Sequence, residues 1–374
     1  MKTVFIDPPF SPTKNWDRFG FSDIVWGYTG HNGIWNRSET FIASSYRTLP
    51  RFDSVQYLVI PASVHDIRNI VTSWLLYRRF AKEIKKLDPD VIHSPDYFSL
   101  AILSSFIPNA LYVLTTPGSI SERIATVNPY DKSYTMALKW ARNRLRKLAR
   151  TVILASSTYM YNWWVHDHFK NVKVIPLPVT TGEVVLREQA KTRLCWNSFF
   201  YHLLFVGALR DENNIRSALN LMTKLNNHRF HLHVIGDGKW MPLVKQFQRS
   251  GTPLTVHGPV SPKELLYFYS AADALLVPRR YNAVPRVALE ALCCGTPIIA
   301  NLNYSLRDFQ DLDTYILQED FNWFEPTKLE LFLQQTSMLQ HSIALKARSI
   351  FDRAIVAEQV FREIHEAWTE RGAE

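Results

Sequence analysis

The chain has 374 residues, too long for one ordinary domain, so two domains are expected. Its hydrophobic share of 47% and aromatic share of 13% suffice for two cores. The net charge of +9 lies entirely in the first half: residues 1–180 hold 22 Lys and Arg against 13 Asp and Glu, and residues 181–374 hold 21 of each. This asymmetry points to an anionic partner (a lipid surface, a polyanionic acceptor or nucleic acid), with solubility as the plainer explanation. The start of the chain lacks the charged, apolar and small-residue order of a signal peptide, so none is expected. The most apolar long stretch, Tyr97 to Thr116, is interrupted by Pro108 and Asn109, which excludes it as a membrane span. Cys195, Cys293 and Cys294 are odd in number and lack metal-ligand spacing, which fits a reducing cytosol.

The predicted elements alternate in type. TVFID opens as a buried strand, and YLVIP follows at 57–61. A long basic helix is expected near Asp66–Leu87, then the strand DVIHS at 90–94 and the strand ALYVLTT at 110–116. A second basic helix is expected near 133–149, then TVILAS at 151–156 and VKVIPLPV at 172–179. Residues 180–197 are polar without clear periodicity and are expected to form a linker. The pattern restarts with HLLFVGAL at 202–209, FHLHVIGDG at 230–238, LTVHG at 254–258, ALLVP at 274–278 and TPIIA at 296–300. A last helix is expected near Ala354–Arg371. Short apolar strands alternating with helices predict doubly wound parallel sheets, with ligands at the carboxyl ends of the strands.

The segment VPRRYNAVPRVALEALCCGTPIIA, Val277 to Ala300, reads as a strand end, an irregular loop, a helix and a strand. Pro285 suits a first helical turn, and Gly295 followed by Pro297 suits a stop. One carboxylate, Glu290, sits inside this otherwise apolar helix, and a helix start of this kind can face a phosphate.

Four pieces of the second half resemble the retaining glycosyltransferases of the GT-B fold, glycosyltransferase family 4. They are HVIGDGKW at 233–240, VHGPVSPKELLYFYSAADALLVP at 256–278, the Val277–Ala300 segment, and FDRAIVAEQVFREIHEAW at 351–368. DVIHSPD at 90–96 carries a weaker match in the first half. The resemblance implies an α/β GT-B architecture with two Rossmann-like domains facing an interdomain cleft. It implies an acceptor-binding domain over 1–180, joined by a crossing helix at 354–374, and a nucleotide-sugar-binding domain over 198–353.

The resemblance also implies site residues. Glu290 matches the glutamate that holds the nucleotide ribose, a task suited to a carboxylate because its two oxygens accept from two vicinal hydroxyls. Asn282, Ala283 and Val284 match the loop facing the pyrophosphate and the sugar, and Gly207 and Gly236 lie at the strand ends beside the donor. The first-domain loop at 29–39 matches the acceptor side through Gly30, His31, Asn32 and Gly33. His93 matches a family histidine at a strand end and, with Asn282, is the catalytic candidate.

Several positions depart from the family. Asn282 replaces the glutamate expected eight residues before Glu290, and Pro117 stands where a histidine is common. Ala208 and Asn213 replace the arginine and lysine that neutralise the donor diphosphate. Each such contact is worth on the order of 3 kcal/mol in a transition state. Arg210, Arg279, Arg280 and Arg286 are the candidate substitutes, and Arg286 in a first helical turn suggests a bound anion.

The function implied is sugar transfer with retention from a nucleotide-activated donor to an acceptor hydroxyl, with no metal and no cofactor besides the donor substrate. The acceptor is lipid-linked, otherwise anionic or a small molecule. The basic helix KWARNRLRKLAR at 139–150 suits contact with an anionic membrane, placing the protein in the cytoplasm or at the inner membrane face; a core-facing helix with a basic outer side is the alternative. Nucleic acid is disfavoured, for no recognisable binding motif accompanies the charge. Two alternatives follow from the departures: a catalytically silent binding or scaffold protein, or a transferase with an unusual donor.

Overall fold

The computed structural model describes residues 1–6, 39–44, 55–59, 78, 80–116, 132–148, 150–180, 182–225, 229–279, 284–301, 308–321 and 325–370. The chain divides into two units, Met1–Pro178 with Arg353–Glu374, and Val179–Asp352.

The first unit is built on seven parallel strands: β1 (Lys2–Ile6), β2 (Glu39–Ser44), β3 (Val55–Val59), β4 (Val91–Ser94), β5 (Leu111–Thr116), β6 (Thr151–Ala155) and β7 (Val172–Val174). Their order is β3-β2-β1-β4-β5-β6-β7. TVILA in β6 is buried at every position, the pattern of a strand covered on both faces. Phe5, Ile42, Val113 and Val152 pack there against Val356, Val360 and Ile364 of the last helix, Arg353–Glu370. Those three residues share one helical stripe, which seats the C-terminal helix on the first sheet.

The second unit holds six parallel strands: β8 (Tyr201–Val206), β9 (Phe230–Ile235), β10 (Leu254–Gly258), β11 (Ala274–Val277), β12 (Ile298–Ala300) and β13 (Ile316–Gln318). Their order is β10-β9-β8-β11-β12-β13. Leu203, Phe205, Leu232, Val234 and Leu276 form one core face with Ile215, Leu219 and Met222 of the helix Ile215–Lys224. Both sheets are the doubly wound α/β architecture expected from the alternation of elements.

The structure adds elements that the sequence pattern hides. β2 and β13 were not expected; β2 pairs with β1 along its whole length, from Lys2 with Glu39 to Ile6 with Ala43. Residues 180–197, expected as a linker, contain the helix Arg187–Arg193, which belongs to the second unit. Its inner face is polar, which is why no apolar period marks it. Arg187 and Lys191 are 8% and 9% exposed, and Lys191 Nζ reaches Asp273 Oδ1 at 2.9 Å. VKVIPLPV yields only three strand residues because Pro176 and Pro178 cannot donate to a ladder. Of the basic helix expected near 66–87, residues 80–86 are helical and 66–77 lie outside the described residues.

The other face of β8, β9 and β10 carries four histidines. His202 Nε2 lies 2.9 Å from the carbonyl of Asn197, an acceptor only, so Nε2 is the donor. His202 Nδ1 then accepts from His233 Nε2 at 2.9 Å, and His233 Nδ1 accepts from His257 Nε2 at 3.0 Å. Three neutral imidazoles thus form a chain of one polarity. Trp196 stacks on His233 with centroids 3.7 Å apart, and His231 Nε2 meets Thr255 Oγ1 at 2.8 Å. Burial lowers all four pKa values, that of His233 to about 2.

Candidate functional site

In the second unit the connections reverse direction between β8 and β11, the central pair of the sheet. A doubly wound sheet binds ligands beyond the carboxyl ends of its strands at such a point. Three chain segments meet that description: residues after β8, residues after β9, and the start of the helix that follows β11. We call that helix α1 (Arg286–Cys293) and the helix before β11 α2 (Pro262–Ala271).

The ends of β8 and β9 are held in contact. Gly207 N donates to the carbonyl of Ile235 at 3.0 Å, and Leu209 N to that of Asp237 at 2.9 Å. Gly236 has φ +125°, and a Cβ there would lie 2.1 Å from the carbonyl oxygen of Gly207. Only glycine lets the two strand ends approach this closely. Asn213 Nδ2 donates to the carbonyl of Ala208 at 2.8 Å. The two residues that depart from the family's cationic pair therefore bond to each other and close the loop after β8. The next residue, Asn214, has φ +51° and is 7% exposed. Its Nδ2 donates to Ser217 Oγ at 2.7 Å and to the carbonyl of Pro278 at 2.9 Å, which ties the β8 loop to the end of β11. Asparagine tolerates the left-handed conformation better than most residues.

α1 is buried at Ala288, Leu289, Ala291, Leu292 and Cys293, and only Arg286, Val287 and Glu290 are partly exposed. Pro285, expected in the first turn, is the residue just before it, and no side chain caps the start. The C-terminal end is fixed: Arg348 Nε donates to the carbonyl of Cys293 at 2.9 Å, and Gly295 follows with φ +84°.

Glu290 lies on the exposed side of α1. Its side chain is 23% exposed, and both oxygens have donors. Tyr269 Oη donates to Oε2 at 2.9 Å, and Arg286 Nε donates to Oε1 at 2.9 Å. A carboxylate offers about four lone-pair directions, so each oxygen keeps one for a ligand. Tyr269 lies on α2, 1% exposed, and burial followed by the Glu290 charge raises its pKa well above the ordinary phenol value. The sequence offers no sign of this role, because Tyr269 reads as one more aromatic in an apolar helix.

Glu290, one turn along the same helix, is a partner of Arg286 in the first turn of α1. Arg210 is exposed at the β8 loop. Arg279 has a buried Nε without a partner among the described residues. Val284, 5% exposed, packs just before α1. A further group escaped the sequence reading: Asp211 pairs with Lys239, accepts from Trp240 Nε1 at 2.8 Å, and Arg216 covers the Trp240 ring at 3.8 Å. Arg280, Asn282 and Ala283 lie outside the described residues, as do Gly30, His31, Asn32, Gly33 and Pro117.

His93 lies in β4 with no exposed surface. Its Nε2 is 2.7 Å from Thr115 Oγ1, its ring lies 5.1 Å from that of Phe5, and burial lowers its pKa to about 3. An imidazole so enclosed is neutral at pH 7 and packs the sheet. In the basic helix, Lys132–Arg146, two cations are spent internally. Arg142 pairs with Asp167 at 3.4 Å, and Arg144 donates to the carbonyl and hydroxyl of Ser104 at 2.8 and 3.1 Å. Lys139, Arg146, Lys147 and Arg150 remain on the surface beside Trp140, 43% exposed, and Met136, 69% exposed. Among the described residues no helix is long and apolar enough to cross a membrane.

Known proteins resemble this chain in both sequence and fold. The family model of glycosyl transferases group 1 matches residues 189–311, which contain β8 to β12, α1 and α2. A 41.2 kDa protein of the cps region of Klebsiella pneumoniae is 25% identical over 255 residues, covering 64% of this chain and 68% of the relative. Sucrose-phosphate synthase from Thermosynechococcus elongatus superposes with a TM-score of 0.78 at 15% identity over 99% of each chain. Anabaena HepE in complex with UDP-glucose superposes with a TM-score of 0.71 at 15% identity, over 98% of this chain and 100% of that one.

Proposed function

We propose, for a chain that carries a glycosyl transferases group 1 domain on the GT-B fold and so is a glycosyltransferase, that the second unit binds a nucleotide sugar and the enzyme passes the sugar to an acceptor hydroxyl with retention. The observation that carries the reading is Glu290: a carboxylate on a mostly buried helix, with one acceptor direction left on each oxygen. That is the arrangement needed for the vicinal hydroxyls of a ribose. HepE, which shares the fold, is known in complex with UDP-glucose. In the reaction the bond from the anomeric carbon to the diphosphate breaks and the acceptor oxygen bonds to that carbon. The acceptor proton leaves with the nucleoside diphosphate.

The charge released on the diphosphate needs positive partners in place of Ala208 and Asn213. Arg279 supports that role through a buried Nε with no partner among the described residues, Arg210 through its exposure at the β8 loop, and Arg280 by adjacency in sequence. The start of α1, which has no side-chain cap, offers backbone N–H groups to the same charge. These groups serve without a metal ion. Asn282 remains the candidate beside the sugar, and Gly30 to Gly33 the candidates beside the acceptor.

A thermal-shift series over nucleoside monophosphates, diphosphates and their sugars tests the reading. Wild type is expected to be stabilised by at least one nucleotide, and the stabilisation to vanish in Glu290→Ala. Indifference to every nucleotide supports a silent scaffold instead, and a preference for monophosphate sugars supports the unusual donor.

The acceptor side is proposed to meet an anionic surface from the cytoplasm, on the strength of Lys139, Arg146, Lys147 and Arg150 around Trp140 and Met136. Flotation with anionic vesicles is expected to carry the protein upward at low salt, and with neutral vesicles to leave it below. Equal behaviour on both vesicle types would sink that part.

A further inference from the structure

We infer that Tyr269 is the positioning residue that sets recognition of the ribose, by holding Glu290 so that one free acceptor direction on each oxygen faces a vicinal diol. The inference rests on the reading of Glu290 as the diol-binding carboxylate.

A glutamate has three rotatable side-chain bonds, and a partly exposed one swings unless tethered. Glu290 has two tethers of different kinds. Arg286 Nε comes from the same helix, four residues before, on a side chain that is 22% exposed. Such a pair is flexible and only weakly stabilising. Tyr269 comes from another helix, and its ring has no freedom to follow a moving carboxylate, because it is 1% exposed. Its backbone is fixed as well. α2 starts with a reciprocal cap between Ser261 and Glu264, and the carbonyl of Tyr269 accepts the hydroxyl of Thr296, just beyond α1. The contact from Tyr269 therefore fixes the Oε2 position relative to the fold, and Arg286 completes the plane of the carboxylate. Burial keeps the phenol protonated, so it remains a donor over the working pH range.

A ratio of two affinities isolates this role. UDP and 2′-deoxy-UDP share base and phosphates, so any effect on the phosphate cations cancels between them. Wild type is expected to bind UDP at least about tenfold more tightly than its deoxy analogue by titration calorimetry, the effect of one charge-assisted hydrogen bond. In Tyr269→Phe the ratio is expected to fall below about threefold while the far-ultraviolet circular dichroism stays as in wild type. Adding Tyr269→Phe to Glu290→Gln is expected to change the ratio no further, since both act through one carboxylate. A folded Tyr269→Phe with the wild-type ratio would overturn the inference. Should that variant fail to fold, Tyr269→4-fluorophenylalanine, which fills the space of the hydroxyl without donating, carries the same test, with a fall in the ratio expected and an unchanged ratio contradicting the inference. Failure of wild type to bind any nucleotide strikes instead at the donor-site reading itself; binding without the loss of discrimination strikes only at Tyr269.

Discussion

On the proposed ribose role, Glu290→Ala is expected to lose nucleotide binding by about 10² to 10⁴-fold, the effect of two charge-assisted hydrogen bonds at about 1.5–3 kcal/mol each. The truncation removes both proposed acceptors for the diol at once. It also strands the buried hydroxyl of Tyr269, at a cost of about 1–3 kcal/mol in stability, so the variant should melt earlier as well as bind more weakly. Glu290→Gln separates the two effects. Its amide carbonyl still accepts from one neighbour, so most stability is kept, while one free acceptor and the charge are gone. Binding is expected to fall in both variants by titration calorimetry with UDP, and the melting temperature to fall mainly in the alanine variant. Unchanged affinity in Glu290→Ala would remove the ribose role from this residue.

Acidification is the second large effect. His93 and His233 titrate near 6.5 when unfolded, and burial lowers them to about 3 and about 2 in the fold. Above pH 6.5 both states are neutral, and these groups give no pH dependence. Below it the unfolded chain takes up protons that the folded chain refuses, so stability is lost as the pH falls. The slope is about 1.4 kcal/mol per pH unit for each group. Between pH 7 and pH 5 the first unit should therefore lose about 2 kcal/mol from His93, and the second about as much from His233. The second unit should lose more, because His202, His231 and His257 are shifted in the same direction. Protonating His202 or His233 also sets N–H against N–H within the His202–His233–His257 chain. Asp273 and Lys191 are the charged groups beside His202, and they pull its pKa in opposite directions. Denaturant unfolding at pH 8, 7, 6 and 5 should be flat over the first interval and fall over the last two. A flat profile down to pH 5 would mean that these imidazoles titrate as in water.

The α/β class, the parallel strands and the stop at Gly295 were legible because each is a local property: apolar runs of strand length, and a glycine past a helix end. β2 was not legible, since ETFIAS is short and its flanks show no clear period. The helix Arg187–Arg193 was hidden because charges facing Asp273 bury it. At the candidate site Glu290 stood out as a lone carboxylate among apolar neighbours, and the burial of α1 supports that contrast. Its two tethers did not stand out. Arg286 was legible as a first-turn cation, but its pairing with the carboxylate one turn along was not. Tyr269 is 21 residues from Glu290 in sequence, and only the packing of α2 against α1 brings them together. The meaning of Ala208 and Asn213 changed in the same way. As isolated departures they read as losses, whereas the structure shows a loop-closing hydrogen bond between them.

The proton NMR signal of the anomeric position, followed over time with nucleotide sugars and a panel of acceptor alcohols, tests the central claim most directly. The anomeric signal of at least one nucleotide sugar is expected to be consumed and replaced by that of a glycoside with the same configuration. Glu290→Ala should slow the conversion at least about a hundredfold. Persistence of every donor signal with wild-type protein that binds no nucleotide would contradict it.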